Sequence, residues 1–184
     1  MARPIKSGLD YFPLDVNLDD KVELLEAEHG ITGFGVIVKL WQRIFADGYY
    51  TRWDDDRALL VAKDTGVSAA ELQGIVATAV RRGIFSAELL NDYGVLTSRG
   101  IQKRYLTCID RRREVELDRR LLLVRPEDYG FTLPDPIEGV NRVIAVNAGK
   151  KPKRPKEEKS TASYDIDDAL DRAKKLDPTK TKRH

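Results

Sequence analysis

The sequence predicts an α+β fold in which three or four helices and a small sheet share one core. Apolar residues recur at the helical spacing i, i+3, i+4 in several segments before residue 110. Short β-prone runs lie between those segments, the clearest at residues 49–53. The chain has 184 residues, of which 41% are hydrophobic and 34% are charged. This composition fits one domain of ordinary size with polar extensions.

Two helices are predicted at the N-terminal end. Asp19 or Asp20 can cap a short helix that stops at Gly30, and a stronger helix runs from Thr32 to Asp47. The apolar side chains of the second helix share one stripe: Phe34, Ile37, Val38, Trp41, Ile44 and Phe45. Full burial of each such side chain stabilises the folded state by about 1.5–3 kcal/mol, so we expect this helix to anchor the core.

The next region predicts a strand at 49–53, a helix that ends at Gly66, a tight turn and a second helix. Ser68 and Glu71 have the spacing of a capping box, which satisfies two backbone N–H groups at a helix start. This helix ends near Gly83, and its inward face is Leu72, Ile75, Val76, Ala79 and Val80. Two strands, 84–85 and 95–97, are then predicted on either side of a loop or single helical turn.

A last helix is predicted from Ser98, with Ile101, Tyr105, Cys108 and Ile109 facing inward. Its continuation at 111–120 loses the apolar stripe, so we expect a solvated helix or the start of disorder. The predicted organisation is a domain at 1–113, an extended or helical connector at 114–149, a basic disordered linker at 150–163 and a short helix with a tail at 164–184.

This order of elements is that of a winged helix-turn-helix with an extra N-terminal helix, a small three-stranded sheet and a long, basic, largely irregular C-terminal tail. Such a module usually binds nucleic acid and sometimes binds protein.

Charge is distributed unevenly along the chain. Residues 1–110 carry 13 Lys or Arg and 16 Asp or Glu, whereas residues 111–184 carry 19 and 14. The basic character therefore lies after the predicted core. The single cysteine, Cys108, is expected to be a buried, inert thiol in a reducing compartment. Neither a signal-like N-terminus nor a membrane-length apolar run is present, so we expect a cytoplasmic protein without membrane partners.

Four motifs occur in a familiar order: Gly8-Leu-Asp-Tyr-Phe-Pro-Leu-Asp-Val16, Gly48-Tyr-Tyr50, Leu96-Thr-Ser98 and Ile101-Gln-Lys-Arg-Tyr105. Through them, about residues 3–113 resemble an N-terminal domain-of-unknown-function family of phage and prophage proteins from low-GC Gram-positive bacteria. That family is related in appearance to the N-terminal winged helix of DnaD-type primosomal proteins and phage replisome organisers. The resemblance implies a winged helix, a setting in phage DNA replication, self-association and no enzymatic activity.

The second half departs from the primosomal pattern. Those proteins carry a C-terminal helical domain with a motif of Tyr, three residues, Ile and Trp that supports DNA binding. No tryptophan follows Val124 here, so the activity of that second domain is not expected.

The helix that starts after Ser68 occupies the position of a recognition helix. Its predicted outer face is Ala70, Gln73, Gly74, Ala77, Thr78 and Arg81. Only Gln73 and Arg81 have the reach to contact bases, which argues against sequence-specific reading of DNA and against a transcriptional repressor. The alternative is that this small-residue face packs on another helix, in the same chain or in a partner subunit.

A better candidate for binding DNA phosphates is a run of basic residues: Arg81, Arg82, Arg99, Lys103, Arg104, Arg111, Arg112 and Arg113. The alternative is a solvated helix neutralised by Glu114, Glu116 and Asp118. The basic residues of the linker can add weak affinity or serve only as a soluble spacer: Lys150, Lys151, Lys153, Arg154 and Lys156.

Other candidate sites have simpler explanations. Tyr49, Tyr50 and Trp53 can stack on bases, but core packing is the more common role of strand aromatics. The acids at 54–56 and 165–171 fit helix starts better than cation sites. His29 and His184 are too few for zinc. We therefore expect neither metal nor cofactor and no enzyme.

Together these patterns predict a non-enzymatic phage DNA-replication accessory protein that contacts DNA without sequence specificity. It would associate with itself or with a replication protein such as a helicase or helicase loader. The alternative from another class is a protein–protein adaptor that never touches nucleic acid.

Overall fold

The computed structural model of the chain describes residues 5–148, which belong to one unit. The α-helices of these residues are α1 (Asp20–Asp47), α2 (Asp55–Thr65), α3 (Ala69–Arg81), α4 (Ala87–Tyr93) and α5 (Arg99–Cys108). The strands are β1 (Thr51–Arg52), β2 (Val95–Leu96), β3 (Glu114–Asp118), β4 (Phe131–Thr132) and β5 (Arg142–Asn147). Two short 3-10 helices, Arg119–Leu121 and Pro126–Tyr129, lie between β3 and β4. The fold is α+β, as predicted.

Helix α1 contains the break that the sequence predicts. Gly30 has φ 66° and ψ −171°, so two helical segments meet there at a kink. A left-handed φ is unstrained only in residues such as glycine, which explains why the break falls at this position. Asp19 caps the start, and its carboxylate accepts a hydrogen bond from the backbone N–H of Lys21.

The second segment of α1 anchors the core. Ile37, Ile44 and Phe45 are buried as predicted, whereas Phe34 and Val38 are only partly buried. Val36 and Leu40 are also buried and widen the apolar stripe beyond the predicted one. Helices α2 and α3 pack against α1 and against each other. The predicted inward face of α3 is confirmed, with Val80 partly buried.

The predicted hairpin after Gly83 is wrong. Ile84 and Phe85 are buried residues in a turn and not in a strand. Ser86 then caps α4 by accepting a hydrogen bond from the backbone N–H of Leu89. Strand β2 pairs instead with β1, antiparallel, with Thr51 opposite Leu96. The sheet of this region therefore has two strands and not three.

The three-stranded sheet among the described residues lies after α5, where an extended or helical connector was expected. Its antiparallel order is β3-β5-β4. The expectation of a solvated helix or disorder at 111–120 is therefore wrong. Val115 and Leu117 alternate inward along β3 and are buried, while Glu114 and Glu116 face outward. Alternation of this kind fixes the face that a strand buries.

Two buried polar side chains tie this sheet region to the helices. The Gln102 side chain is 1% exposed, donates to the carbonyl of Leu121 at 2.7 Å and accepts from the N–H of Leu123 at 2.7 Å. The Tyr49 hydroxyl accepts from the N–H of Asp118 at 2.7 Å. Buried backbone groups need such partners, so these contacts fix residues 118–123 against α5 and the loop before β1. Within residues 5–148, no helix has the length and apolarity of a membrane span.

Candidate nucleic-acid interface

One part of the outer face of α3 is exposed to solvent, and another part contacts α1. Gln73 and Ala77 are exposed, but Thr78 is only 6% exposed and hydrogen-bonds to the His29 ring across 3.0 Å. A Cβ on Gly74 would lie 3.9 Å from the same ring. Thr78 therefore contacts α1 of the same chain, as the helix-packing alternative predicts, whereas Ala70, Gln73 and Ala77 are exposed.

Glu28 forms ion pairs with two of the predicted DNA contacts, Arg81 and Arg82. Arg81 donates to the Glu28 carboxylate at 2.7 Å, and Arg82 donates to its other oxygen. The hydrogen bond from Arg82, with the charges of both arginines, holds the pKa of Glu28 below its ordinary value. This carboxylate therefore stays ionised and offsets part of the positive charge at the end of α3.

Four of the predicted basic residues line one cleft of about 650 Å³: Arg81, Arg82, Arg99 and Arg104. Residues 12–15 and the start of α1 also line the cleft and contribute Asp15 and Lys21. Arg104 forms an ion pair with Asp15. The structure thus brings together residues from three elements, but acidic neighbours neutralise several of them.

Arg112 has a structural role that the sequence pattern did not reveal. Its guanidinium donates to the carbonyls of Lys6, Ser7 and Gly8 at 2.5, 2.9 and 2.6 Å. Tyr105 donates its hydroxyl to the same Ser7 carbonyl at 2.7 Å, and burial raises the pKa of Tyr105 to about 12. Arg112 thereby holds the N-terminal segment, and its charge is committed to backbone oxygens.

The remaining basic residues of the run are exposed: Arg99, Lys103, Arg111 and Arg113. Within residues 5–148, none of their side chains has an ion pair or hydrogen bond. Arg99 and Lys103 are four residues apart on α5 and therefore share one side of that helix. Arg111 and Arg113 follow in the turn before β3. We call these four residues the α5 basic surface. The predicted linker contacts, Lys150, Lys151, Lys153, Arg154 and Lys156, lie outside the described residues.

The acids expected to neutralise a solvated helix have other partners or, within residues 5–148, no side-chain ion pair. Asp118 pairs with Arg120 at 2.7 Å, and the hydrogen bond from Arg120 lowers the pKa of Asp118. Glu116 approaches Arg142 at 3.8 Å, and both lie on strands. Glu114 is exposed. The α5 basic surface therefore keeps its charge.

The aromatic residues and Asp54 have structural roles, whereas Cys108 differs from the expectation. Tyr49 is 4% exposed, and Tyr50 and Trp53 are packed against the core as expected, but they flank β1, which is shorter than the strand predicted at 49–53. Asp54 caps α2 and accepts from the N–H of Arg57 at 2.8 Å. Cys108, which was expected to be buried, is only partly buried, and desolvation raises the pKa of its thiol. Among residues 5–148, no three His, Cys, Asp or Glu side chains are grouped as metal ligands would be. The acids at 165–171 lie outside the described residues.

Sequence reasoning missed Lys21, Glu28 and Asp15 as neighbours of the basic residues. Lys21 lies on α1 and lines the cleft, and it is exposed. Glu28 and Asp15 are 53 and 89 residues from the arginines they bind. Local spacing carries no signal for pairs this distant.

Two comparisons with known proteins find sequences that are similar to this chain. Residues 11–101 match the family described as "Lin1244/Lin1753-like, N-terminal". The chain is also 42% identical over 130 residues to "Uncharacterized phage-related protein Lin1244/Lin1753" of Listeria innocua. The matches support a phage-associated family. The aligned region is 69% of this chain and 43% of the Listeria protein, so the chain spans less than half the length of that relative. No solved structure matches the chain.

Proposed function

We propose that this protein is a non-enzymatic accessory factor of phage DNA replication that binds the DNA backbone without sequence specificity. It acts in the host cytoplasm, and its folded region also docks a replication protein or a second copy of itself. The observation that carries the DNA part is the α5 basic surface, whose exposed cations lack partners among residues 5–148. Lys and Arg that contact phosphates release condensed counterions, and this release favours binding of any sequence.

The fold supports the same proposal. Helices α2 and α3 are joined by a turn at residues 66–68, which is the element order of a helix-turn-helix. Strands β1 and β2 form a small sheet beside them, and we infer a winged-helix relationship on this basis. The exposed part of α3 offers Gln73 but mainly small residues, so the proposed DNA contact depends on α5 and not on base reading. The phage-associated matches support the biological setting.

Fluorescence anisotropy with labelled single-stranded and double-stranded oligonucleotides tests the proposal. The variant Arg99→Glu with Lys103→Glu should weaken binding at least about tenfold at low salt, because it replaces two cations that contact phosphates with anions that repel them. The matched control is Lys39→Glu with Arg52→Glu, which reverses two exposed cations on α1 and β1. Equal affinities for the two variants, or no binding by folded wild-type protein, would remove the DNA part of the proposal.

A second function, that of a protein–protein adaptor, is favoured by a specific observation. Arg81, Arg82, Arg104 and Arg112 are all engaged with groups of their own chain, so the basic surface is smaller than the sequence predicts. An adaptor would lose no partner binding in the Arg99→Glu, Lys103→Glu variant. Partner capture measured beside DNA binding therefore separates the two functions.

A further inference from the structure

The outer face of the β3-β5-β4 sheet carries apolar residues where a solvated face would be polar. Along β5, Val143 and Ala145 are buried, while Ile144 and Val146 are 48% and 50% exposed. The row continues into the preceding turn with Val140, which is 44% exposed. An antiparallel sheet with one face on the core usually presents polar residues on the other face. Exposed apolar residues on both sides of Arg142 therefore point to a partner.

Ile137 extends this row. It is 67% exposed and forms a bridge with Val140 across the turn that leads into β5. We call Ile137, Val140, Ile144 and Val146 the apolar row. Residues 140–146 of an extended strand span about 20 Å. A helix of about 14 residues has the same length.

Carboxylates lie beside the apolar row. The register places Glu116 opposite Ile144 and Glu114 opposite Val146 on β3. Asp135 and Glu138 are exposed on either side of Ile137 in the turn. The cation on this face of β5 is Arg142, which lies 3.8 Å from Glu116. The face is therefore apolar along β5 and predominantly acidic around it.

We propose that this sheet face is a docking site for a basic amphipathic helix of a partner protein. The apolar side of that helix covers the apolar row, and its Lys or Arg side chains reach Glu114 and Glu116. Opposite charges beside an apolar contact favour the correct partner and speed association. The inference rests on the partner-docking half of the proposed function and is independent of its DNA half.

Other occupants fit this face less well. DNA would bring phosphates against four exposed carboxylates, which repel them. A second copy docked with its β3 over this β3 would place the Glu114 and Glu116 side chains of the two chains together. Like charges at the core of an interface are unfavourable. A basic helix meets neither objection.

The test uses the full chain and a labelled helical peptide of about 14 residues, built from Leu on one side and Lys on the other. One control peptide carries Glu in place of each Lys, and a second has the same composition without an apolar stripe. Binding is followed by anisotropy. Two protein variants remove the proposed contacts: Ile144→Ser with Val146→Ser, and Glu114→Lys with Glu116→Lys. The matched control is Leu59→Ser with Leu60→Ser, which alters two exposed leucines on α2.

We expect the Lys peptide to bind wild-type protein, with affinity reduced at least tenfold in both sheet variants and unchanged in the α2 control. The two control peptides should bind at least tenfold more weakly. Equal binding to all variants, or no binding by folded protein, would overturn the inference. A smaller particle mass for the Ile144→Ser, Val146→Ser variant in light scattering would assign the face to a second copy instead. DNA affinity of the Ile144→Ser, Val146→Ser variant should not change, so failure here and failure of DNA binding are distinguishable.

Discussion

Gln102 provides a direct test of how the sheet region is fastened to the helices. Its buried side-chain amide makes two hydrogen bonds of 2.7 Å, to the carbonyl of Leu121 and from the N–H of Leu123. The variant Gln102→Leu has a side chain of similar size that can make neither. Two buried backbone groups would then lack partners, at a cost of about 1–3 kcal/mol each. The extra apolar burial of leucine offsets about 1–2 kcal/mol, so we expect a net loss of about 1–4 kcal/mol.

Urea unfolding, followed by the fluorescence of Trp41 and Trp53, measures this loss. A change of this size is a large part of the total stability of a domain, which is about 5–15 kcal/mol. The matched control is Gln73→Leu, because Gln73 is exposed on α3 and its side chain makes no hydrogen bond within residues 5–148. Its free energy of unfolding should change by no more than about 0.5 kcal/mol. If the two glutamine variants have the same stability, the proposed role of Gln102 is incorrect.

Two further predictions concern charged residues that the fold uses internally. Arg112→Ala should lower the free energy of unfolding by about 1–3 kcal/mol, because it removes three hydrogen bonds to the N-terminal segment. The control Arg111→Ala should change the free energy of unfolding by about 0.5 kcal/mol or less. Thermal unfolding of the two variants checks this prediction, and similar melting temperatures for both would contradict it. Hydrogen bonds from Arg120 lower the pKa of Asp118. The ionised Asp118 side chain therefore stabilises the folded state at pH values above the ordinary carboxyl pKa of about 3.9. This stabilisation is lost as the pH falls through the lowered pKa of the folded state. Urea midpoints over about pH 2–7 should therefore fall more steeply at the acid end for wild type than for Asp118→Asn, and parallel curves would refute this.

The elements that the sequence predicted are those set by local interactions. Ser68 caps α3 and accepts from the N–H of Glu71 at 3.1 Å, and the break at Gly30 follows from a single left-handed residue. Both signals lie within a few residues of the feature they determine. Periodicity placed the core face of α3 for the same reason.

The errors arose where local signals competed or where distant residues decide. Val115 and Leu117 alternate as a strand requires, but the surrounding arginines made the segment resemble a charged helix. Ile84 and Phe85 are β-prone, yet the Ser86 cap starts a helix directly after them. The division of the basic run into paired and free arginines depends on partners such as Glu28, and these are brought close only by the tertiary fold.

The most direct test of the central claim is the salt dependence of DNA binding by the full chain. Affinity for a duplex oligonucleotide is measured between about 50 and 300 mM NaCl, and its logarithm is plotted against that of salt concentration. Each lost phosphate contact reduces the slope by about 0.9. The variant Arg99→Ala with Lys103→Ala should therefore have a slope shallower than wild type by about 2. If the two slopes are equal, the α5 basic surface does not contact the DNA backbone.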